Sequence, residues 1–248
     1  MSCRWFPTLL TVLAALPLLV CAKEPALVAI IIDDMGYNPV LAQRALALPG
    51  PVTYAILPRL AQSAELAQQA HNNHRDVLLH TPMQPVGDQQ MGPGGLTVDM
   101  DAQQITTVLT GNLSTVPHVI GISNHMGSRF TSDYDAMKRF MSSMQQHPGL
   151  FFLDSLTTPD SQIRGAAAGA NVRVISRDVF LDNDRNPERI AEQFDRLLQI
   201  ASRRGRALAI AHPYPETLEF LEQRLHALKT GPVRLVPLSL LLRSAQER

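Results

Sequence analysis

The chain is poor in cysteine, in aromatic residues and in net charge, and each shortage excludes a class of protein. Of its 248 residues only Cys3 and Cys21 are cysteines, so the chain beyond them can form no disulfide and no thiolate site. The formal net charge is zero and no basic run occurs, which argues against nucleic acid as a partner. Aromatic residues make up 5% of the chain, which leaves few platforms on which sugar rings could stack.

The N-terminal stretch has the pattern of a secretion signal. Arg4 gives a positive charge ahead of an apolar run, Thr8–Val20, that is too short to span a bilayer comfortably. Ala22 is the small residue that a signal peptidase requires, so we predict a signal peptide over residues 1–22 and a single domain over residues 23–248. The alternatives to a cleaved signal peptide are an uncleaved membrane anchor and a lipid attached to Cys21. We expect export to the periplasm and no stable membrane insertion after cleavage, because no later apolar run is long enough.

Apolar, strand-like runs alternate with helical patterns along the rest of the chain. Predicted strands cover residues 29–32, 52–58, 76–82, 119–125, 150–155, 172–178, 207–213 and 233–238. Predicted helices cover residues 63–72, 96–113, 133–146, 186–203 and 217–229. Continuous apolar strands separated by helices predict a parallel sheet buried on both faces, and seven or eight such units fit an α/β fold of the (β/α) barrel type. An open doubly wound sheet is the alternative, although no Gly-x-Gly-x-x-Gly follows the first strand.

The first predicted strand ends in two adjacent carboxylates, Asp33 and Asp34, followed by Gly36. Neighbouring buried charges of one sign repel, so a metal ion or a shared proton is the natural remedy. Successive side chains of a strand point to opposite faces, so we expect one aspartate to bind metal and the other to take a proton or orient a partner. The alternative is that both acids face solvent and that Asp34 caps a following helix.

Other chemically capable side chains fall at the ends of later strands. They are His80, Asn124, His125, Asp154, Ser155, Asp178, Asp182 and His212. In a parallel barrel these ends form one rim, where active sites are built. Two imidazoles and one or two carboxylates suit Zn²⁺ or a similar divalent ion, so His80 and His125 are predicted metal ligands. Three roles stay open for His212: metal ligand, general acid or core histidine.

Residues next to this rim are predicted to bind substrate. No Gly-x-Ser-x-Gly occurs, which argues against a serine nucleophile. Ser128 can instead offer its backbone N–H to an anionic intermediate, and Arg129 can bind an acidic substrate group or form a salt bridge at the rim. Asn124 and Asp154 complete the predicted substrate-binding set. Asp178 has two interpretations, a functional group or half of a buried ion pair, with the neighbouring Arg177, that braces the barrel.

Five motifs in chain order resemble the divergent polysaccharide deacetylase family. They are Ile30–Gly36, Leu79–Pro85, Asn124–Arg129, Asp154–Ser155 and Ala211–Pro213. Members are exported bacterial proteins distantly similar to metal-dependent chitooligosaccharide and peptidoglycan deacetylases. The resemblance implies a distorted, polysaccharide-deacetylase-like barrel, a divalent metal such as zinc, and hydrolysis of N-acetyl or O-acetyl groups on a glycan.

The resemblance also implies roles for single residues. Asp33 would be the catalytic base, Asp34 a metal ligand and His212 the general acid. In the better known deacetylases the other two ligands are histidines four residues apart, whereas Gln84 stands four residues after His80. We infer that His125, from the next strand end, replaces the missing ligand.

Two functions therefore remain as hypotheses. The first is an exported metal-dependent hydrolase that removes acetyl groups from a cell-envelope glycan. The second is a catalytically inactive periplasmic protein that binds glycan or assists the cell envelope. A third, hydrolysis of a phosphoester, is disfavoured because the rim lacks a dense set of Lys and Arg residues.

Overall fold

A computed structural model describes residues 1–3 and 24–244, so the predicted cleavage site and nearly all of the predicted signal peptide lie outside the described residues. Within these ranges the chain forms nine strands and eight α-helices. The strands are β1 (Ala26–Met35), β2 (Thr53–Ile56), β3 (Val77–Met83), β4 (Val119–Met126), β5 (Phe151–Asp154), β6 (Val174–Ser176), β7 (Val179–Phe180), β8 (Arg206–Ala211) and β9 (Val233–Leu235). The helices are α1 (Pro39–Leu46), α2 (Ser63–Asn72), α3 (Ala102–Leu113), α4 (Tyr134–Met144), α5 (Ile163–Ala168), α6 (Pro187–Arg204), α7 (Pro215–Arg224), followed by a 3₁₀ helix (Leu225–Lys229), and α8 (Leu238–Arg243).

The sheet curls into a barrel that remains open along one seam. Its path runs β6-β5-β4-β3-β2-β1-β8-β7, every pairing is parallel, and β9 joins the start of β1. In the described part of the chain β6 and β7, the two ends of this path, do not pair with each other. The predicted distorted (β/α) barrel is confirmed, and the doubly wound alternative is wrong because strand order follows the chain without the central reversal of such sheets.

Both faces of β1 are buried, which explains its unbroken apolar run. Ile30 and Ile32 pack outward in the layer between the sheet and the helices. Ala29 and Ile31 point into the barrel and join a separate interior cluster. The inward row of β1 continues to Asp33, so the apolar interior ends where the first carboxylate begins.

Helix α8 closes one end of this interior. Leu238, Leu241 and Leu242 belong to the same interior cluster as Ile31. The sequence analysis predicted a strand over residues 233–238 and no helix after it, but β9 ends at Leu235. Tertiary contacts explain this difference from the prediction. The leucine-rich segment buries its side chains by closing the barrel and not by pairing with the sheet.

Helix boundaries follow the capping residues. The predicted helix over residues 63–72 is confirmed, but Ser63 does not cap it; its hydroxyl donates to the Leu57 carbonyl oxygen instead. Helix α3 begins at Ala102 because Asp101 forms a reciprocal capping box with Gln104.

Helices α1 and α5 and strand β7 were absent from the prediction. Predicted strand 172–178 shrinks to β6, since the chain leaves the sheet to cross the open seam.

The structure contains, within residues 24–244, no helix that is both long enough and apolar enough to cross a bilayer.

Candidate active site

A bulge at the end of β1 turns both aspartates toward one place. The register between β1 and β2 shifts between Ile32 and Met35, and Asp34 takes a left-handed backbone with φ of 56°. Such a conformation is costly for a residue with a Cβ, although aspartate tolerates it better than most. Nε2 of His80 consequently lies 3.7 Å from Asp33 Oδ2 and 3.1 Å from Asp34 Oδ1. The expectation that the two side chains point to opposite faces is wrong, because the strand is no longer extended at Asp34.

Asp34, His80 and His125 bring three potential metal ligands together. Asp34 Oδ1 lies 2.7 Å from Nδ1 of His125, and one ligand atom from each of the three residues lies within 4.8 Å of the other two. Asp34 Oδ1 is buried, yet it has no partner with hydrogen-bond geometry among the residues that the structure describes. A buried carboxylate oxygen left in this way against two imidazole nitrogens fits a shared cation.

Ser123 holds the imidazole of His80 in place. Its hydroxyl lies 2.7 Å from Nδ1 of His80, and the two residues are directly paired between β3 and β4. With Nδ1 engaged, Nε2 faces the two carboxylates, which is the arrangement expected of a supported metal-binding histidine. Sequence reasoning missed this residue. The register of two adjacent strands would have revealed it, because residues opposite each other share a face.

The two aspartates have opposite electrostatic environments. Burial raises the pKa of Asp33, and the charges of nearby histidines only partly oppose this effect. Burial acts in the same direction on Asp34, but the adjacent imidazoles of His125 and His80 outweigh it and lower the pKa of that carboxyl. Adjacent acids whose pKa values are pushed apart are suited to different tasks: Asp34 stays ionised, while Asp33 has the greater affinity for a proton.

His212 faces this cluster from β8 and is supported by Asp182. Nδ1 of His212 lies 3.0 Å from Asp182 Oδ1, and its backbone N–H donates to Asp182 Oδ2 at 2.6 Å. The Thr217 hydroxyl also donates to Asp182 Oδ2, so this buried carboxylate is fully engaged. Burial lowers the pKa of His212, but Asp182 and the charges of Asp34 and Asp33 raise it to about 9. Its Nε2 lies 3.8 Å from Asp34 Oδ2, so the proton would face the cluster.

Three aromatic rings flank the cluster. Tyr214 stacks on the His212 imidazole with ring centroids 5.4 Å apart, and Phe180 lies at 5.2 Å from the same ring. On the other side Tyr37, which is 52% exposed, meets His125 edge-on at 6.3 Å. The guanidinium of Arg185 lies 4.5 Å over the ring of Tyr214. An open, partly aromatic rim therefore surrounds a polar centre.

The four residues predicted to bind substrate lie at the rim, but the side chains of Asn124, Asp154 and Ser128 form hydrogen bonds within the protein. The buried Asn124 donates to the Met126 carbonyl and accepts from the backbone N–H of Ser155. Asp154 accepts from the Leu156 N–H and from the Ser161 hydroxyl. These two residues brace the turns after β4 and β5, and their role in substrate binding stays a prediction.

Ser128, Arg129 and Gln84 belong to the loops around β3 and β4. The Ser128 hydroxyl accepts from the Val86 N–H, and the backbone N–H of Arg129 donates to the Gln84 carbonyl. The side-chain oxygen of Gln84 accepts from the Val98 N–H at 3.0 Å. Where the family's second loop histidine would stand, this chain thus has a residue that fastens the loop.

Asp178 braces the seam with a different partner from the one expected. Its carboxylate lies 3.1 Å from Nη1 of Arg204 and accepts from the backbone N–H of Leu208. Arg177 donates instead to the carbonyl oxygens of Ser155 and Leu156, so the expected pair between neighbours is absent. Because the Arg204 side chain is 69% exposed, this contact is not the buried ion pair that was predicted.

The other histidines lie outside the cluster. His71 and His118 stack on each other with centroids 3.8 Å apart. In the part of the chain described, the three clustered ligand residues include none of the histidines that the sequence places away from the strand ends: His71, His74, His118, His147 and His226.

Comparison with known proteins identifies the family and the fold of the chain. Residues 30–242 match the family described as divergent polysaccharide deacetylase. The uncharacterised protein YibQ of Escherichia coli K12 is 38% identical over 244 residues, covering 97% of this chain and 76% of its own. A crystal structure of an uncharacterised protein from Agrobacterium tumefaciens C58 superposes with a TM-score of 0.83 at 24% identity, covering 88% of this chain and 89% of its own.

A more distant structural match carries information on the fold alone. It is a mutant, with restored enzymatic activity, of a pseudoenzyme of the CE4 family; its TM-score is 0.54 at 14% identity, covering 89% of this chain and 69% of its own. The match over residues 30–242 and the 38% identity with YibQ show that the chain belongs to the divergent polysaccharide deacetylase family.

Proposed function

We propose that the chain is an exported, metal-dependent hydrolase that removes acetyl groups from a cell-envelope glycan or oligosaccharide. The observation that carries this proposal is the convergence of Asp34, His80 and His125 opposite a histidine that is held by its own carboxylate. Asp33 lies beside the cluster without being one of its three members. Ligands, a base and an acid are thereby available on separate residues.

The ligand set suits zinc. One carboxylate and two imidazoles are common protein ligands of catalytic Zn²⁺, and three of them leave a coordination position open. When bound, the ion would polarise the acyl oxygen and lower the pKa of water. Asp34, His80 and His125 would hold it, and Ser123 would keep the His80 ring oriented.

Asp33 and His212 would then move protons in opposite directions. Asp33, whose burial increases its affinity for a proton, takes one from the attacking water. His212, protonated at neutral pH, gives one from Nε2 to the leaving amine or alcohol as the acyl bond breaks. Asp182 keeps Nδ1 engaged throughout, so the only free ring nitrogen faces the reacting atoms. Water is consumed, and acetate and a deacetylated sugar are released.

The rim favours a short sugar chain as substrate. Tyr37 on one side and Tyr214 on the other offer two partly exposed rings about the polar centre. Tyr54 and Phe130 are fully buried and contribute no surface for a sugar ring. A substrate of a few residues is therefore a better fit than a long polysaccharide.

An inactive glycan-binding protein is the second candidate. Gln84 supports it, because the second histidine of the better known deacetylases is absent and the side chain present accepts a hydrogen bond from the backbone of Val98. A related fold also occurs in a CE4-family pseudoenzyme. In that case the rim would bind sugar without cleaving it.

Metal content and deacetylase activity separate the two candidates. Purified mature protein is loaded with zinc, its metal content is measured, and acetylated chitooligosaccharides and muropeptides are tested for released acetate. Alanine variants of Asp34, His80 and His125 are expected to lose both metal and activity, and the His212 variant to keep metal and lose activity. The matched control is His226→Ala, on the 3₁₀ helix after α7.

A protein that takes up no zinc even in excess overturns the hydrolase. Sugar binding without metal would instead support the inactive candidate. Export is tested separately: the protein recovered from periplasm is expected to begin at Lys23, and an intact N-terminus in the cytoplasm contradicts it.

A further inference from the structure

The open seam of the barrel contains a cleft whose lining includes none of the clustered residues Asp33, Asp34, His80, His125 and His212. Its volume is about 590 Å³, within the range of small-molecule sites. It lies between β6 and the start of β8, at Arg206, whereas His212 follows the opposite end of β8. On one side Arg206 pairs with Leu27 of β1, but on the other side β7 pairs only with Ala209 and Ile210 of β8, so within the described chain no strand pairs with Arg206 on the seam side.

The floor of the cleft is apolar. Leu27 and Ile175, both half-buried, line it and pack against the interior cluster of the barrel. Leu241 and Leu242 of α8 complete the floor. The cleft is thus a place where the apolar interior reaches the surface, because the barrel lacks a closing strand.

The rim of the cleft is strongly cationic. Four arginines line it, Arg164, Arg173, Arg204 and Arg206, against one carboxylate, that of Asp178. The cleft therefore carries an excess of positive charge although the whole chain has a formal net charge of zero.

The arginines retain donors for a ligand. Arg164 donates to the Ser176 hydroxyl, Arg173 to the Leu242 carbonyl and Arg204 to the single carboxylate. Arg206 is exposed and forms no ion pair with any acidic residue that the structure describes. Each guanidinium has five N–H donors, so one internal bond leaves most of them available.

We propose that this cleft binds a soluble amphiphile with one anionic group, a carboxylate or a phosphate, on an apolar chain. The anionic group meets the arginines and the chain lies on the leucine floor. Neither the floor nor the arginines would be selective alone, because the floor would accept any apolar molecule and the arginines would accept any anion. The site is independent of the metal cluster and of the proposed hydrolase.

Calorimetric titration of the purified protein tests the contribution of the anionic group and that of the apolar chain. The probes are octyl phosphate below its micelle concentration, 1-octanol and inorganic phosphate. We expect one octyl phosphate per chain, with each of the other two binding at least about tenfold more weakly, since a charge-assisted contact and chain burial each contribute about that factor. Affinity is expected to fall as salt is added.

Variants locate the site. Arg206→Gln and Arg164→Gln are each expected to weaken octyl phosphate binding by about fivefold or more. Arg203→Gln is the matched control, because Arg203 neighbours Arg204 on α6 but donates to the Gln199 carbonyl of its own helix. Ser244→Trp, at the edge of the cleft, should block it while far-UV circular dichroism stays unchanged.

Three results with the soluble probes overturn the proposal. They are octanol binding as tightly as octyl phosphate, equal loss in Arg203→Gln and Arg206→Gln, and full binding in a folded Ser244→Trp variant. Binding to vesicles of anionic phospholipid without binding to octyl phosphate would also overturn it, in favour of a membrane-docking surface.

Discussion

Replacing Asp182 by asparagine tests whether His212 is the general acid. Asp182 contacts both Nδ1 and the backbone N–H of His212. Burial lowers the pKa of His212, and the carboxylate of Asp182 is the foremost cause that outweighs burial and raises the pKa to about 9. Asparagine has nearly the same shape but no charge, so the pKa should fall to about 6.5 or below.

The size of the effect follows from the protonated fraction. At pH 8 an imidazole with a pKa of about 9 is roughly 90% protonated, whereas one with a pKa of about 6.5 is roughly 3% protonated. A general acid acts only when protonated, so activity is lost as pH rises through its pKa. We expect kcat of Asp182→Asn at pH 8 to be about 30-fold below that of the unmodified protein, and the deficit to shrink toward pH 6.

The measurement is the pH dependence of kcat for zinc-loaded protein, together with an NMR titration of the His212 ring. A bound cation lowers both pKa values, so the difference between the two profiles is the quantity that matters. Asp178→Asn is the control, because Asp178 also accepts from a backbone N–H of β8, at Leu208, but does not contact His212. If kcat of Asp182→Asn and of the unmodified protein falls at the same alkaline pH, the assignment of His212 as the general acid is refuted.

Three further predictions concern the ligands, the core and a helix end. Ser123→Ala, which removes the 2.7 Å contact to His80 Nδ1, should weaken zinc binding by about 10- to 100-fold in a chelator competition while the fold is kept; unchanged affinity would mean that Ser123 does not support the ring. Leu78→Ala, in the fully buried interior cluster, should lower the free energy of unfolding by about 2–5 kcal/mol in urea titration, and a loss below about 1 kcal/mol would show a poorly packed interior. Asp101→Ala should cost about 1 kcal/mol in the same assay by removing the capping box of α3, whereas Asp99→Ala, two residues earlier, should cost little.

The fold could be predicted because its signals are local and repeated. Each strand is an apolar run and most of the predicted helices have a visible start, such as Asp101 for α3 or Asn186 for α6. In a parallel barrel the strand ends must share a rim, so the mutual proximity of His80, His125 and His212 followed from topology alone. No contact between these residues needed to be known in advance.

What the sequence did not reveal depends on register and on burial. The bulge at Asp34 arises from a shift between β1 and β2, and the cap of α1 is Asn38 rather than Asp34, which was the alternative considered. Ser123 supports His80 only because the pairing of β3 with β4 sets them opposite each other. From the sequence Asp182 could be recognised only as an acid after the sixth predicted strand. Its partner, His212, lies 30 residues further along the chain, directly after β8.

The proposed imidazole ligands both lie on strands, which fixes their separation. His80 and His125 lie on β3 and β4, which pair continuously from Leu78 with Gly121 to Met83 with Met126. Their separation is therefore set by the hydrogen-bonded register of two adjacent strands rather than by a loop conformation. Gln84, which is not one of the clustered residues, fastens the loop after β3 through Val98. Both proposed imidazole ligands are thus held by the sheet, whereas the proposed carboxylate ligand, Asp34, lies at the bulge that ends β1, in a left-handed backbone.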